Sequence, residues 1–298
     1  MHTYNLSLPA DLQLRLMLPY PVFDDTSARI LLGAYIPGAK FTFEPSDAPV
    51  LTVVFRQSDQ QRVVRRARQV TMYDTWRGQP SLLDFIHLAY TVCRNEWMRK
   101  DLYVVHSALV DDILLVGHSG SGKTSLSLRR VAKGGKLFSG NKTLIRIEPE
   151  THQLLAIAGT HTITAKSGVA RKHLPAIGDE KIDYVGRNAY VLDPQMYSAE
   201  PTTPIRRIAL IQLNDGADST TELSPVSALH RLHPFFLDAV NGDAIVCGGK
   251  AVYPGTTPRG AQAKLAHNLL PALQRLASVR AVTGSIPYVE TALEEKHE

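Results

Sequence analysis

Cysteine is scarce in this chain. Only Cys93 and Cys247 occur among its 298 residues, in neither a C-x-x-C pair nor any metal-like spacing. Cys93 falls on a helical pattern and Cys247 in an apolar run, so both read as buried thiols. Long apolar runs are missing as well, since no stretch approaches the ~20 residues needed to cross a bilayer as a helix. The first twenty residues, MHTYNLSLPADLQLRLMLPY, lack the basic leader, continuous apolar core and small-residue cleavage site of a signal peptide. The expectation is a cytoplasmic protein with no membrane partner. Excess charge is slight, 33 basic against 28 acidic side chains for a net +5. That suits an anionic ligand, but it supplies no clustered basic face of the kind nucleic acid requires. Internal repeats and low-complexity tracts are absent too.

What is present points to a globular chain with a β-rich start. At 44% hydrophobic and 20% charged residues it can bury a sizeable core, as one large domain or two smaller ones. The expected division is residues 1–100, a β-rich N-terminal region ending in an amphipathic helix, and residues 101–298. In the first part Ile30-Leu31-Leu32, Val50 to Phe55 and Arg62 to Tyr73 read as strands, with turns at Pro37-Gly38, Ser46-Asp47 and Ser58-Asp59. Asp24-Asp25 reads as a further turn. Arg62, Arg65, Arg66 and Arg68 crowd one of these strands. The plainer reading is its solvated face, and the alternative is a strip that docks phosphate or peptide. Ser81 with Asp84 marks a helix start. Leu82, Phe85, Ile86, Ala89, Val92, Cys93 and Trp97 then carry one apolar face to about Lys100.

The second part carries the chemistry. Gly117-His118-Ser119-Gly120-Ser121-Gly122-Lys123-Thr124 matches the P-loop pattern G-x-x-x-x-G-K-[ST]. The strand signal Asp112-Ile113-Leu114-Leu115-Val116 precedes it, and Ser125 to Ala132 follow as a helix stopped by Gly134-Gly135. Strand, turn and helix together aim the backbone N–H groups of Gly117 through Ser125 at a phosphate, with the positive end of the helix dipole behind them. Lys123 is expected to reach the terminal phosphates, and the Thr124 hydroxyl to ligate the accompanying Mg²⁺. Upstream, Leu102 to Val110 reads as one strand that turns at Asp111-Asp112 and pairs with the P-loop strand as an antiparallel hairpin. Downstream, strands are expected over 142–147, 153–158, 160–165 and 205–213, and helices over 224–240 and 258–276. The expected fold class is α/β or α+β, a mixed-sheet nucleotide-binding domain.

Other P-loop classes fail on what should accompany the motif. No LSGGQ-like signature occurs, and no long apolar strand ends in Asp-Glu. Asn141-Lys142-Thr143-Leu144 begins like the guanine-reading N-K-x-D, but Leu144 stands where the carboxylate belongs. Ala209 to Asp215 looks like a Walker B strand, yet Asn214-Asp215-Gly216 is turn chemistry and reads as a hairpin turn. No base-reading motif survives, so ATP is the expected nucleotide with GTP left open.

The stretch VVHSALVDDILLVGHSGSGKTSLSLRRVAKGGKLFSGNKTLI resembles the P-loop region of the HPr kinase/phosphorylase-like family. His106 stands where that family carries a histidine on an antiparallel strand before the P-loop strand. Ser119 matches the serine inside the loop, and Gly134-Gly135 the glycine after the helix. The resemblance is specific over residues 102–146 and topological elsewhere. It implies a fold related to phosphoenolpyruvate carboxykinase, use of ATP with Mg²⁺, and transfer of phosphate to a hydroxyl of a protein, peptide or small metabolite. It also implies Lys123 and His106 as catalytic groups, and a homo-oligomer as the family's common state.

One departure matters. Where the family has an acidic pair, this chain has Ser139-Gly140-Asn141. Those carboxylates are expected to deprotonate the acceptor hydroxyl and help hold Mg²⁺. Gly140 can do neither, and Asn141 offers only a neutral carbonyl oxygen. Phosphoryl transfer depends mainly on positioning and charge stabilisation, and general-base help is worth ~10²–10⁴-fold. The alternative reading is therefore a catalytically weak or inactive nucleotide-binding regulatory or partner protein. The nearest acids, Asp111, Asp112, Glu148 and Glu150, read as exposed turn charges. Asn141-Lys142-Thr143 reads as a strand-start turn, or as a replacement site for a substrate phosphate or carboxylate. Restoring the pair with Gly140→Asp and Asn141→Asp is expected to raise transfer.

Overall fold

The computed structural model describes residues 1–19, 25–42, 50–74, 82–166, 168–177, 181–184, 187–238, 245–247, 250–252 and 257–295. Asp24, Ser46-Asp47 and the helix start expected at Ser81 lie outside them. Two leucine-rich strands open the chain, β1 (His2–Leu8) and β2 (Leu12–Leu18). In β2, Leu12, Leu14, Leu16 and Leu18 are buried while Gln13, Arg15 and Met17 are half-exposed, so one face of the strand meets a core. Helix α1 (Asp25–Tyr35), β3 (Lys40–Thr42), β4 (Val50–Gln57), β5 (Arg62–Arg66) and β6 (Gln69–Asp74) follow. The six strands form one mixed sheet in the order β3-β1-β2-β4-β6-β5. Helix α2 (Leu82–Arg99) covers its apolar face, where Phe55 and Phe85 meet edge to face at 4.4 Å. Cys93 is buried there, and burial raises its thiol pKa.

Three expectations for this region are corrected. Ile30-Leu31-Leu32 lies inside α1, and Asp25 opens that helix instead of forming a turn. A short apolar run fits either element by periodicity, and length decides between them. The Arg62–Tyr73 run is a hairpin that turns at Ala67, whose φ is 48°.

The run expected as one strand over 102–110 is also two. Its first half, β7 (Leu102–Val105), joins β11 (Thr143–Ile147), β12 (Leu154–Gly159) and β16 (Thr203–Pro204) in a sheet ordered β16-β12-β11-β7. Its second half, β8 (Ser107–Val110), turns at Asp111-Asp112 into β9 (Ile113–Val116), giving the expected antiparallel hairpin. These two belong with β10 (Leu137–Ser139), β17 (Arg207–Leu213), β18 (Ser219–Glu222) and β21 (Ser278–Gly284). The order is β10-β8-β9-β17-β21-β18, with β9, β17 and β21 parallel. Helix α3 (Lys123–Ala132) follows β9 and ends just before Gly134. The fold is thus mixed α/β with several sheets.

A three-stranded sheet, β13 (Thr162–Lys166), β14 (Lys181–Tyr184) and β15 (Arg187–Val191), packs against α3 together with α4 (Val169–His173). Helix α5 (Pro225–Leu237) starts as expected, with Ser224 Oγ accepting from the Ser227 N–H at 3.3 Å, and it closes at Asp238 in the left-handed region. After the short pair β19 (Ile245–Cys247) and β20 (Lys250–Val252) come α6 (Ala261–Leu273) and α7 (Ile286–Glu294). Helix α6 begins after Gly260, not at Thr257-Pro258. Asn214-Asp215-Gly216 is a turn, with Asn214 Oδ1 accepting from the Gly216 N–H at 3.0 Å. It is no hairpin, however. Strand β21 fills the edge beside β17, so β18 pairs beyond it.

The apolar core crosses residue 100. Leu102, Val104, Leu144, Ala158 and Ala189 bury in the same cluster as the leucines of β1 and β2. Among the described residues, no helix is long and apolar enough to cross a membrane.

Candidate nucleotide site

Strand β9 is buried along its whole length and delivers the chain to Gly117. The loop that follows is pinned to β17, because the Leu213 N–H donates to the Ser121 carbonyl at 2.9 Å. Gly122 precedes α3 at a φ of 99°, and a Cβ there would lie 2.2 Å from the Leu213 side chain. Only glycine fits both demands. His118, Ser119 and Gly120 form the exposed tip, while Ser121 is buried and Thr124 and Ser125 are half-buried in or beside the first helical turn. The His118 ring packs on Phe235 of α5, with centroids 5.0 Å apart. Gly122 brings no capping side chain, so the cap leaves the first N–H groups of α3 to an anion, as such a site requires.

Lys123 is 7% exposed. Its ammonium donates to the loop's own carbonyls, to Gly117 at 2.6 Å and to His118 at 3.0 Å. Burial, and then the nearby Lys142 ammonium, pull its pKa from 10.5 down to about 8. Charged oxygens accept more strongly than these carbonyls, so a phosphate can take over the same donors.

Two strand crossings meet beside this loop. The chain leaves one sheet for the other at His106, between β7 and β8, and again over Gly140 to Lys142, between β10 and β11. Ser107 pairs opposite Val116, which sets half-buried His106 level with Gly117. The Ser107 N–H donates to the Asn141 carbonyl at 3.1 Å, and Ser107 Oγ donates to Thr143 Oγ1 at 2.8 Å. The structure thus brings His106, Gly140-Asn141 and the start of the P-loop together.

The Gly140-Asn141 pair is packed in place. A Cβ on Gly140 would lie 2.9 Å from the Thr162 carbonyl oxygen. The Asn141 side-chain amide donates to the Ala34 carbonyl at 2.9 Å, and the backbone N–H groups of Asn141 and Lys142 both donate to Thr160 Oγ1. The family's acidic pair does not fit here. An aspartate at 140 meets backbone, and one at 141 turns a carboxylate toward a carbonyl oxygen. This packing argues against the expectation that Gly140→Asp with Asn141→Asp raises transfer. The four neighbouring acids do not replace the pair. Asp111 pairs with Arg130, Asp112 with Arg207 and Glu148 with Arg146, all toward the other ends of their strands, and Glu150 is exposed in the β11–β12 turn.

Sequence reasoning missed one carboxylate. Asp238, closing α5, lies 2.9 Å from the Lys142 ammonium, with side chains only 2% and 4% exposed. The Tyr90 hydroxyl donates to the same carboxylate, and the Lys142 ammonium sits 3.9 Å over the Tyr90 ring. Arg94, wholly buried, donates to the Asp238 carbonyl at 3.5 Å and to Thr257 Oγ1 at 3.0 Å. Lys142 thus pairs with this carboxylate while Arg94 holds the backbone of the same residue, and the Lys142 charge stands close enough to Lys123 to depress its pKa. The local field favours an anion. No local pattern announces this cluster, since Lys142 and Asp238 are 96 residues apart.

The metal position expected at Thr124 is thinly provided. Thr124 Oγ1 makes one long contact, 3.4 Å, to the Thr164 carbonyl. Among the described residues, no group of three or more His, Cys, Asp and Glu could hold a metal ion. The residues fit a polyphosphate well, and they offer Mg²⁺ one hydroxyl to add to the phosphate oxygens. No protein-family model matches this sequence, and no curated protein matches it.

Proposed function

We propose that the chain binds a nucleoside triphosphate, ATP in the first instance, at Gly117 to Ser125 and is a phosphotransferase resembling HPr kinase. The observation that carries this reading is Lys123: a buried ammonium at a strand–glycine turn–helix junction, held by loop carbonyls that include that of Gly117, the residue level with His106. In this reading Lys123 exchanges those carbonyls for terminal phosphate oxygens, and the α3 N–H groups take the adjacent phosphate. Lys142 adds positive charge behind it. Mg²⁺ supplies further charge neutralisation when bound, with Thr124 as its protein ligand. His106 faces the acceptor, a hydroxyl on a protein, peptide or small metabolite, and accepts its proton.

A second reading, a nucleotide-binding regulatory protein with little or no transfer, is favoured by the packed Gly140-Asn141 crossing. Incubating the purified protein with γ-labelled ATP, Mg²⁺ and separate protein, peptide and metabolite pools distinguishes the two. Label in an acceptor, lost ~10²–10⁴-fold in His106→Ala, supports the kinase. ATP binding without label transfer supports the second reading. No ATP binding contradicts both.

A further inference from the structure

The outer face of the N-terminal sheet takes no part in the nucleotide site. Strand register aligns it in rows. Arg56 of β4, Tyr73 of β6 and Arg62 of β5 stand abreast, as do Arg15 of β2, Thr52, Gln69 and Arg66. A less polar row of Met17, Val54, Thr71 and Val64 runs between them, with Val54 and Thr71 buried and Met17 and Val64 half-buried. The alternate residues, among them Leu16, Val53, Phe55 and Met72, are in the core beneath α2, so these rows share the opposite face. Arg65 has that inner parity and pairs with Glu96 of α2. Lys40, Arg15, Arg56, Arg62 and Arg66 therefore stand on one face, and none of the described strand residues on it is acidic. Arg56 and Arg66 have no ion-pair partner among the described residues. Strand β5 ends the sheet, and no described strand pairs with its outer edge.

We infer that this face and the β5 edge bind an extended acidic segment of another polypeptide. An added strand takes backbone hydrogen bonds from a sheet edge and offers side chains at alternate positions. Arg62 and Arg66, about 13 Å apart along β5 at ~3.3 Å per residue, then meet carboxylates four residues apart on the added strand, and half-buried Val64 between them meets the intervening side chain. Single-stranded nucleic acid needs bare aromatic platforms. Tyr73 is the aromatic ring here, and the Arg62 guanidinium already lies over it at 4.5 Å. A second copy pairing through β5 would set arginine against arginine.

Anisotropy titrations of the full chain with fluorescein-labelled poly-L-glutamate, and in parallel with labelled polyuridylate, test this. Saturable poly-L-glutamate binding that weakens with salt is expected. It should fall at least tenfold in Arg56→Gln/Arg62→Gln/Arg66→Gln and survive in the corresponding triple lysine variant, with thermal unfolding unchanged. Arg66→Glu alone gives a second reading of the same loss should the triple variant unfold. Equal affinity of the parent, the triple glutamine variant and Arg66→Glu, binding of polyuridylate without poly-L-glutamate, or binding of neither at low salt overturns the inference.

Discussion

Lys123 is a cation held where a cation is costly, and its pKa of about 8 gives the site a pH signature. A bound polyanion favours the charged ammonium. Above pH 8 nucleotide binding must therefore take up a proton, and affinity should fall as pH rises through about 8. Titrations at pH 7, 8 and 9 check this. Removing the neighbouring charge with Lys142→Met and Asp238→Asn together should move the fall to higher pH. The stability linkage has a definite sign. The folded pKa lies below the ordinary 10.5, so the unfolded chain binds more protons between about 8 and 10.5, and this group's contribution to stability rises with pH across that window. Asp238→Ala alone leaves the buried Lys142 ammonium without its counter-charge. Such breaks cost ~3–5 kcal/mol, which denaturant unfolding will detect, whereas the double variant should lose less.

At the scale of elements, the two crossings at His106 and at Gly140 to Lys142 create the candidate site. Gly140 lets β13 lie close against one of them. Gly140→Asp is accordingly expected to lower the unfolding midpoint by a few degrees or more, through backbone collision, without raising phosphate transfer. A folded variant with faster transfer would contradict this. The P-loop, its strand and its helix were legible in the sequence because they are contiguous, and each residue type answers a local demand. The division of 102–110 into two strands was not, because β7 and β8 are equally apolar and only the pairing of β7 with β11, distant in sequence, takes it to a different sheet. Ile30-Leu31-Leu32 misled for a related reason, since three consecutive apolar residues bury equally well in a helix. The Lys142–Asp238 contact depends on the end of α5 meeting the start of β11, which neither segment encodes alone.

Across the whole molecule, the core that joins the leucines of β1 and β2 to Leu102, Val104 and Leu144 makes the N-terminal sheet a support for the crossings beside the loop. Asn141, bound to the Ala34 carbonyl of α1, is a direct tie between the two. Disturbing the N-terminal region should therefore weaken nucleotide binding as well as stability. The central claim is that Lys123 holds a triphosphate, and calorimetric titration of Mg·ATP into the parent and into Lys123→Met tests it most directly. Losing charge-assisted hydrogen bonds worth ~1.5–3 kcal/mol should weaken binding by about ten- to a hundredfold while the unfolding midpoint holds or rises. Equal binding by a folded Lys123→Met protein, or no binding by the parent, would contradict it.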